Sequence, residues 1–190
     1  MKILNLYQRS FLSVLKMVVY EFEGKKPEIS ETSFIFPTAT IIGDVKIGEN
    51  CFIGPNAVLR GDWGSIEIGN GSNIQDTCVI HSVPNGTTSL GENCHIGHGA
   101  VVHQATLGKH VVVGINAVVG DWAEIGDNCI IGEGALVPRK MKIEDESIVV
   151  GIPGKVIGKL SDSHREYSWW ATKLYQTLPK RYRENFKQID

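Results

Sequence analysis

The sequence predicts an all-β protein, a parallel β-solenoid followed by a C-terminal α-helix. The first observation is a repeat: from Phe36 onward a bulky apolar residue recurs at about every sixth position, usually followed by glycine, as in "IGENCF", "IGPNAV" and "LGENCH". Self-similarity at a fixed period is typical of solenoid architectures. The second observation is an apolar stripe at helical spacing after residue 161, which indicates the closing helix.

Each coil of the predicted solenoid is a triangular prism made of three repeats. The lead apolar side chain of every repeat points into the narrow core, and Gly and Asn allow the sharp corners. Neighbouring coils stack at the strand spacing of roughly 4.8 Å. We expect about six coils within residues 17–160. The lead positions are 36, 42, 47, 53, 59, 68, 74, 80, 90, 96, 102, 107, 113, 119, 125, 131 and 137.

The segments on either side of the solenoid are assigned separately. Residues 1–16 carry Leu4, Tyr7 and Phe11 at helical spacing. They form either an N-terminal extension with a role of its own or a dispensable one that precedes a true start at Met17. Residues 161–190 are assigned to the C-terminal helix and a solvated basic tail.

The C-terminal helix carries three sequence signals. Ser163 and Glu166 have the spacing of a capping box at its start. Pro179 should end or bend it. Its apolar stripe is expected to pack against the outside of the prism, with a partner-binding surface as the alternative. The stripe consists of Tyr167, Trp170, Leu174 and Leu178.

The composition excludes several classes of function. Lys and Arg number 19 against 21 Asp and Glu, and the pI near 6.3 leaves no broad basic surface for nucleic acid. No window reaches the ~18 consecutive apolar residues that cross a bilayer, so we expect a soluble, cytoplasmic protein without membrane contact. The four cysteines lack metal-binding spacing and are expected to be reduced, buried and without chemical function. They are Cys51, Cys78, Cys94 and Cys129.

The histidines concentrate in one segment, because four of the six lie in residues 79–103. The residues that follow leads 59, 80 and 102 are Arg60, His81 and His103, which therefore form a column on one face. His98 lies on the preceding face, directly above Asp76 and on the order of ten ångströms or more from His103. Side-by-side packing of three prisms could bring His98 to the column of a neighbour. The other histidines, His95, His110 and His164, are expected to be solvated.

Three neutral imidazoles with an open fourth position are the ligand set of a catalytic zinc site. The segments "LRGD", "NIQD" and "GHGAVVH" resemble the gamma-class carbonic anhydrases among the hexapeptide-repeat proteins, closest to the phenylacetate-degradation and carnitine-operon branch. The resemblance covers about residues 30–160. It implies a left-handed β-helix and a homotrimer with metal sites at its interfaces. The implied ligands of Zn²⁺, or of Fe²⁺ or Co²⁺, are His81, His98 and His103.

The resemblance also implies roles for residues around the metal. Gln75 would bind the metal-bound hydroxide, and Arg60 and Asp76 would form an interface ion pair, either structural or catalytic. Asn73 and Asp62 match the same motifs without a defined role. The implied reaction is attack of the hydroxide on a small-molecule substrate, either carbon dioxide, giving bicarbonate, or an acyl or thioester carbonyl.

Other functions stay open on the sequence. Trp63 stands where fast carbonic anhydrases of this class carry an acid, and the loop 82–89 has no carboxylate, so proton export would be slow. The segment "VGIPGKVIGKL" resembles the closing segment of hexapeptide acyltransferases, which lies near coenzyme A; its structural alternative is a cap on the prism. A coenzyme A-dependent acyltransferase and a non-catalytic, metal-bridged trimer are therefore the alternatives.

Overall fold

The computed structural model describes residues 18–189, which fold into a left-handed parallel β-helix with two C-terminal helices. The predicted fold class is confirmed. Its strands lie on three faces of a prism, and each of the long strands β4 and β6 bends from the first face to the second. In the part of the chain described, no helix is long and apolar enough to cross a membrane.

Each face of the prism holds one set of strands. The first face holds β1 (Val18–Tyr20), the starts of β4 (Thr40–Ile47) and β6 (Val58–Ile68), β8 (Val79–His81), β11 (Val101–His103), β14 (Val118–Val119) and β17 (Leu136–Val137). The second face holds β2 (Glu28–Ile29), the ends of β4 and β6, β9 (Thr87–Leu90), β12 (Thr106–Leu107), β15 (Glu124–Ile125) and β18 (Lys142–Ile143). The third face holds β3 (Phe34–Ile35), β5 (Phe52–Ile53), β7 (Asn73–Ile74), β10 (His95–Ile96), β13 (Val112–Val113), β16 (Ile130–Ile131), β19 (Ser147–Val150) and β20 (Lys155–Lys159).

The core is a single column of apolar side chains inside the prism. From Ile47 onward every predicted lead is buried, but the first two predicted leads, Phe36 and Ile42, are only partly so. Ile35 and Ile41 point inward instead, because β3 pairs with β5 in the register Ile35 to Ile53 and β4 pairs with β6 in a matching register. The third face carries seven parallel strands among the described residues, one coil more than the sequence suggested.

The bend between the first and second faces depends on two stacked glycines. A Cβ on Gly43 would lie 2.4 Å from the carbonyl oxygen of Gly61, and a Cβ on Gly61 would lie 2.4 Å from that of Asp44. Real Cβ atoms do not approach backbone this closely, so only glycine allows two adjacent coils to turn here. This bend directs the next residues, Asp62 and Trp63, outward at the corner.

The cysteines are buried, as predicted. All four thiols are free and buried in the core. Burial raises the pKa of the Cys78 thiol to about 11 and that of Cys94 to about 12, which suppresses the reactive thiolate. They serve as small core residues at the corners.

The C-terminal end of the prism is closed by a hairpin. β20 pairs antiparallel with β19, and the amide of Gly154 donates to the carbonyl of Leu136 in the last coil. The free edge of β19 is thereby covered. This arrangement agrees with the cap interpretation of "VGIPGKVIGKL".

Two helices follow the cap and run along the third face. They are α1 (Asp162–Gln176) and α2 (Leu178–Asn185), with Pro179 in the first turn of α2, so the predicted break at this proline is confirmed. The predicted capping box is displaced by two residues. Ser161 is the N-cap, and His164, instead of Glu166, accepts the Ser161 amide proton at Nδ1. An imidazole nitrogen can accept as a carboxylate does, which the sequence rule overlooks.

The remaining C-terminal expectations were wrong. The segment 178–189 is not simply a solvated tail, because Tyr182 and Phe186 pack on Phe34 and Phe36. The stripe of α1 does not pack closely either, because Tyr167, Trp170 and Leu174 are exposed. The residues of α1 that are buried or partly buried are Arg165, Ser168, Ala171, Thr172, Tyr175 and Gln176.

The corner between the third and first faces contains one residue in a strained conformation. Its successive coils place Asn56, Thr77, Gly99, Asn116 and Gly134 in the left-handed region. Asn and Gly tolerate this region, whereas the β-branched Thr77, at a φ of 60°, does not. Thr77 is therefore a local cost to stability beside Asp76.

We expect Thr77→Asn to raise the free energy of unfolding by about 1 kcal/mol, because asparagine relieves the strain of a β-branched residue at positive φ. Urea unfolding followed by circular dichroism measures the change. The reverse substitution at the same corner two coils above, Asn116→Thr, should lower stability by a similar amount. Equal stability of all three proteins would contradict the assignment of strain to Thr77.

Candidate active site

The predicted column on the first face is present. Parallel pairing of β6, β8 and β11 aligns Arg60 with His81 and His81 with His103 on successive coils. The two imidazole rings lie 5.1 Å apart between centroids, with His81 Nδ1 3.1 Å from His103 Nε2. His81 is almost fully buried, whereas His103 is partly exposed at the corner.

A carboxylate holds the far nitrogen of each ring. Asp62 Oδ1 lies 3.1 Å from His81 Nε2, and Asp121 Oδ1 lies 2.5 Å from His103 Nδ1. An ionised carboxylate only accepts hydrogen bonds, so His81 carries its proton on Nε2 and His103 carries its proton on Nδ1. Partial burial opposes ionisation of Asp62, but hydrogen bonds from Arg60 and His81 outweigh it and lower the pKa of Asp62.

These tautomers leave two lone pairs facing each other across 3.1 Å, on His81 Nδ1 and His103 Nε2. Neither atom can donate to the other, so the pair requires a shared proton or a cation between them. Two nitrogens at 2.0–2.1 Å from a tetrahedral Zn²⁺ are about 3.3 Å apart, close to the separation seen here. Burial also lowers the pKa of His81, which keeps the ring neutral. The donor set therefore fits a divalent metal.

Asp121 is a site residue that sequence reasoning missed. It holds His103 as Asp62 holds His81, and carboxylates in this position orient metal-binding histidines in many proteins. A signal was present, because Asp121 follows the lead Val119 by two residues and so reaches the same corner one coil above His103.

His98 lies at a different corner, between the third and first faces. Its Nδ1 is 2.7 Å from Asp76 Oδ2, in the coil-to-coil register that the sequence predicted. Within residues 18–189 no three His, Cys, Asp or Glu side chains converge on one point. A site with three histidine ligands therefore stays a prediction that needs a second subunit.

The ion pair predicted between Arg60 and Asp76 does not form within one chain. Arg60 pairs with Asp62 at 2.7 Å instead of with Asp76, and its guanidinium lies 5.9 Å from the Trp63 ring. The carboxylate of Asp76 contacts His98 instead. The pairing of Arg60 with Asp76 between subunits is therefore not tested by a single chain.

Gln75 and Asn73 form a buried polar cluster on the third face, together with His95. Gln75 Nε2 donates to Asn73 Oδ1 at 3.0 Å and lies 2.7 Å from His95 Nε2. The edge of the Tyr175 ring covers His95 from α1, with the centroids 5.1 Å apart. The amide of Gln75 is held in place by its neighbours.

The expectation that the other histidines are solvated was wrong for two of them. His95 lies beneath α1, and the His110 ring stacks on Trp169 at 4.0 Å. Both project outward from the prism, as predicted, but the repeat does not indicate which face the helix covers. His164 is exposed and serves as the capping partner of Ser161.

A groove of about 390 Å³ lies between α1 and the third face. Gln75, His95 and His98 line one part of it, and apolar side chains of the prism and of α1 line the rest. The groove therefore connects the buried amide cluster with the corner that carries His98.

The fold and its repeat define the class of this protein, which is that of the β-helical hexapeptide-repeat proteins. The family model "Bacterial transferase hexapeptide (six repeats)" matches residues 26–61 and 104–139. The carnitine operon protein CaiE of Escherichia coli K12 is 39% identical over 162 residues, which cover 85% of this chain and 83% of CaiE. The chain belongs to this hexapeptide-repeat transferase family.

Two solved structures agree with this family assignment. A hexapeptide transferase family protein from Anaplasma phagocytophilum is 34% identical, with a TM-score of 0.83 over 87% of this chain and 98% of that one. A putative acetyltransferase from Bacillus cereus is 33% identical, with a TM-score of 0.86 over 87% of this chain and 96% of that one. Both similarities extend over nearly the whole described fold.

We expect His95 to make stability depend on pH. Burial, with a smaller contribution from His98, lowers the pKa of His95 from 6.5 to about 4, so the unfolded chain binds a proton that the folded chain does not. Stability is therefore lost as the pH falls from 6.5 to about 4, by about 3 kcal/mol over that window. Urea unfolding at several pH values should show a smaller loss for His95→Gln and an unchanged loss for His164→Gln. The same pH dependence in both variants would contradict this prediction.

Proposed function

We propose that the protein is a metal-dependent enzyme that adds water to a small carbonyl compound, either carbon dioxide or an acyl thioester. The observation that carries the proposal is the pair of opposed lone pairs on His81 and His103, which two carboxylates hold in place. His98 of a second subunit would complete a set of three imidazoles. Zn²⁺ is the proposed metal, with Fe²⁺ and Co²⁺ as alternatives.

A divalent cation at this position would supply Lewis acidity and lower the pKa of a water molecule to near 7. The chain's own residues would prepare the rest of the site. Asp62 and Asp121 hold the two imidazoles in the tautomers that leave their lone pairs free. The two protons of the Gln75 amide nitrogen face Asn73 and His95, so its carbonyl oxygen is left to accept a hydrogen bond from water or substrate.

The proposal includes a homotrimer, an assembly that is common among hexapeptide-repeat proteins. The positions of the proposed ligands on the prism support a trimer. His81 and His103 lie at one edge of the first face, and His98 lies near its other edge. Three first faces turned toward a common axis would bring the His98 corner of each chain to the column of the next. Under this arrangement Arg60 and Asp76 also approach each other across the interface.

Coenzyme A-dependent acyl transfer is the second candidate. The family model is named for transferases, and the Bacillus cereus relative is described as a putative acetyltransferase, so the comparisons favour transfer over carbon dioxide hydration. None of the relatives described above is named as a carbonic anhydrase or a zinc enzyme. In this candidate the Asp121–His103 pair would act as a general base on an acceptor hydroxyl or amine.

We expect the purified, metal-loaded protein to retain about one divalent ion per chain after dialysis, and His81→Ala and His103→Ala to lose it. Asp121→Asn should weaken binding of the divalent ion by about 10- to 100-fold, because an asparagine side chain no longer fixes the tautomer of His103. Metal analysis by mass spectrometry measures all three. His110→Ala is the matched control, since this histidine contacts only α1 and its corner, and should retain the ion.

Two results would contradict the proposal. Full metal content in both His81→Ala and His103→Ala would show that the ion lies elsewhere. Acyl transfer to an added amine or alcohol that survives chelation would favour the second candidate. A trimer that holds metal but has neither hydration nor hydrolysis activity would indicate a metal that only joins subunits.

We expect inactive His98→Ala and His81→Ala subunits to recover activity when they are mixed, because some interfaces regain both parts of the ligand set. Carbon dioxide hydration and thioester hydrolysis should both be assayed, after subunit exchange has been verified by native mass spectrometry. A mixture of His81→Ala with His103→Ala is the control and should stay inactive, since both changes damage the same column. Absence of recovery in the first mixture would show that the site is built within one chain.

A further inference from the structure

Besides the contact of Tyr175 with His95, the helix α1 is fastened to the prism by three contacts along one of its sides. Its Arg165 pairs with Glu146, its Trp169 stacks on His110, and its Gln176 donates to Asn93 Oδ1 at 2.7 Å. The three prism residues share one corner, between the second and third faces. The opposite side of α1 overhangs the third face and faces the corner that carries His98.

That overhanging side is the apolar stripe that does not pack. Trp170 remains 56% exposed and Leu174 47%, and across the groove Ile115 is 42% exposed. Exposed apolar walls on both sides of a cleft cost free energy in water unless something apolar occupies the cleft. The small side chain of Ala171 at the base of the helix leaves the space between the walls open.

The two ends of the groove differ in chemistry. Gln75, His95 and His98 supply hydrogen-bonding groups at one end. Val112, Ile115 and Ile130 on the prism, with Trp170 and Leu174 on the helix, supply an apolar wall. Glu133 is the acidic residue among the lining residues and would repel an anionic ligand. A volume of about 390 Å³ is within the range of small-molecule sites and far larger than carbon dioxide requires.

We propose that this groove binds the apolar, uncharged acyl group of a thioester, with the carbonyl at the Gln75 and His98 end. This inference rests on the proposed function and narrows its substrate. In hydrolysis the water oxygen bonds to the carbonyl carbon and the carbon–sulfur bond breaks. The thiolate takes one proton of the water, and the carboxylic acid releases the other. Binding of the acyl group would hold the carbonyl in place for that attack.

Binding is tested first without turnover. The full-length, metal-loaded protein is titrated with S-octyl-N-acetylcysteamine, a thioether that cannot be hydrolysed, while tryptophan fluorescence is recorded. We expect a saturable change that disappears in Trp170→Phe and persists in Trp169→Phe, because these adjacent residues differ in that only Trp170 lines the groove. An unchanged signal in Trp170→Phe, or no binding, would overturn the proposal.

Selectivity is tested second. Ala171→Leu fills the groove from the helix and should lower the ratio of kcat/KM for octanoyl over acetyl thioesters at least about tenfold. Lys173→Leu, the same introduced side chain outside the groove, should leave the ratio within about twofold. Succinyl thioesters should be poorer substrates than butyryl thioesters because of Glu133. An unaltered ratio in Ala171→Leu would overturn the groove assignment.

The two proposals fail in different ways. Probe binding with no metal retention and no hydrolysis would reject the proposed function and leave the groove as a site for apolar acyl groups. Metal retention and hydrolysis without probe binding would reject the groove and leave the function. A Trp170 signal that changes on dilution without probe would show that a second copy of the chain covers the groove, which also rejects the inference.

Discussion

The rest of the structure depends on the parallel register between successive coils. Each strand of two or three residues is too short to be stable alone, and it persists because the coils above and below satisfy its amide and carbonyl groups. Since the pairing is parallel, any residue is stacked directly on its equivalent one coil away. Side chains at equivalent positions of successive coils thus form a column, and the candidate site consists of such a column.

The site occurs where the coils depart from the regular length. Ile35 to Ile53 and Val113 to Ile131 span 18 residues, but Ile53 to Ile74 spans 21 and Ile74 to Ile96 spans 22. The additional residues lie at the corner between the first and second faces, where they place Asp62 outward beside His81. Asp121 reaches His103 from a coil of regular length, so only the His81 side of the site lies at a lengthened corner. Irregular coils therefore mark one part of the site within an otherwise uniform repeat.

The sequence allowed prediction of those site contacts that the repeat period alone determines. The column of Arg60, His81 and His103 and the contact of His98 with Asp76 were predicted, because they depend only on the period. Asp121 was missed, although its signal was present one coil above His103. The burial of His95 beneath α1 could not be predicted, because the repeat gives no information about which outward face the helix covers. The first two leads failed for a related reason: pairing with the next coil fixes the register of Phe36 and Ile42, and the local pattern does not.

The position of α1 is consistent with the geometry that a shared metal would require. The proposed ligands lie at the two edges of the first face, so this face must turn toward the threefold axis in any trimer that joins them. The third face, which carries α1, then turns outward. The fastened side of α1 lies away from the interface. The open side of α1 faces the edge that carries His98, so the groove would end beside the metal instead of in solvent. A helix attached along its other side would block that edge. Under the proposed function, the attachment through Glu146, His110 and Asn93 would therefore keep the groove open toward the metal.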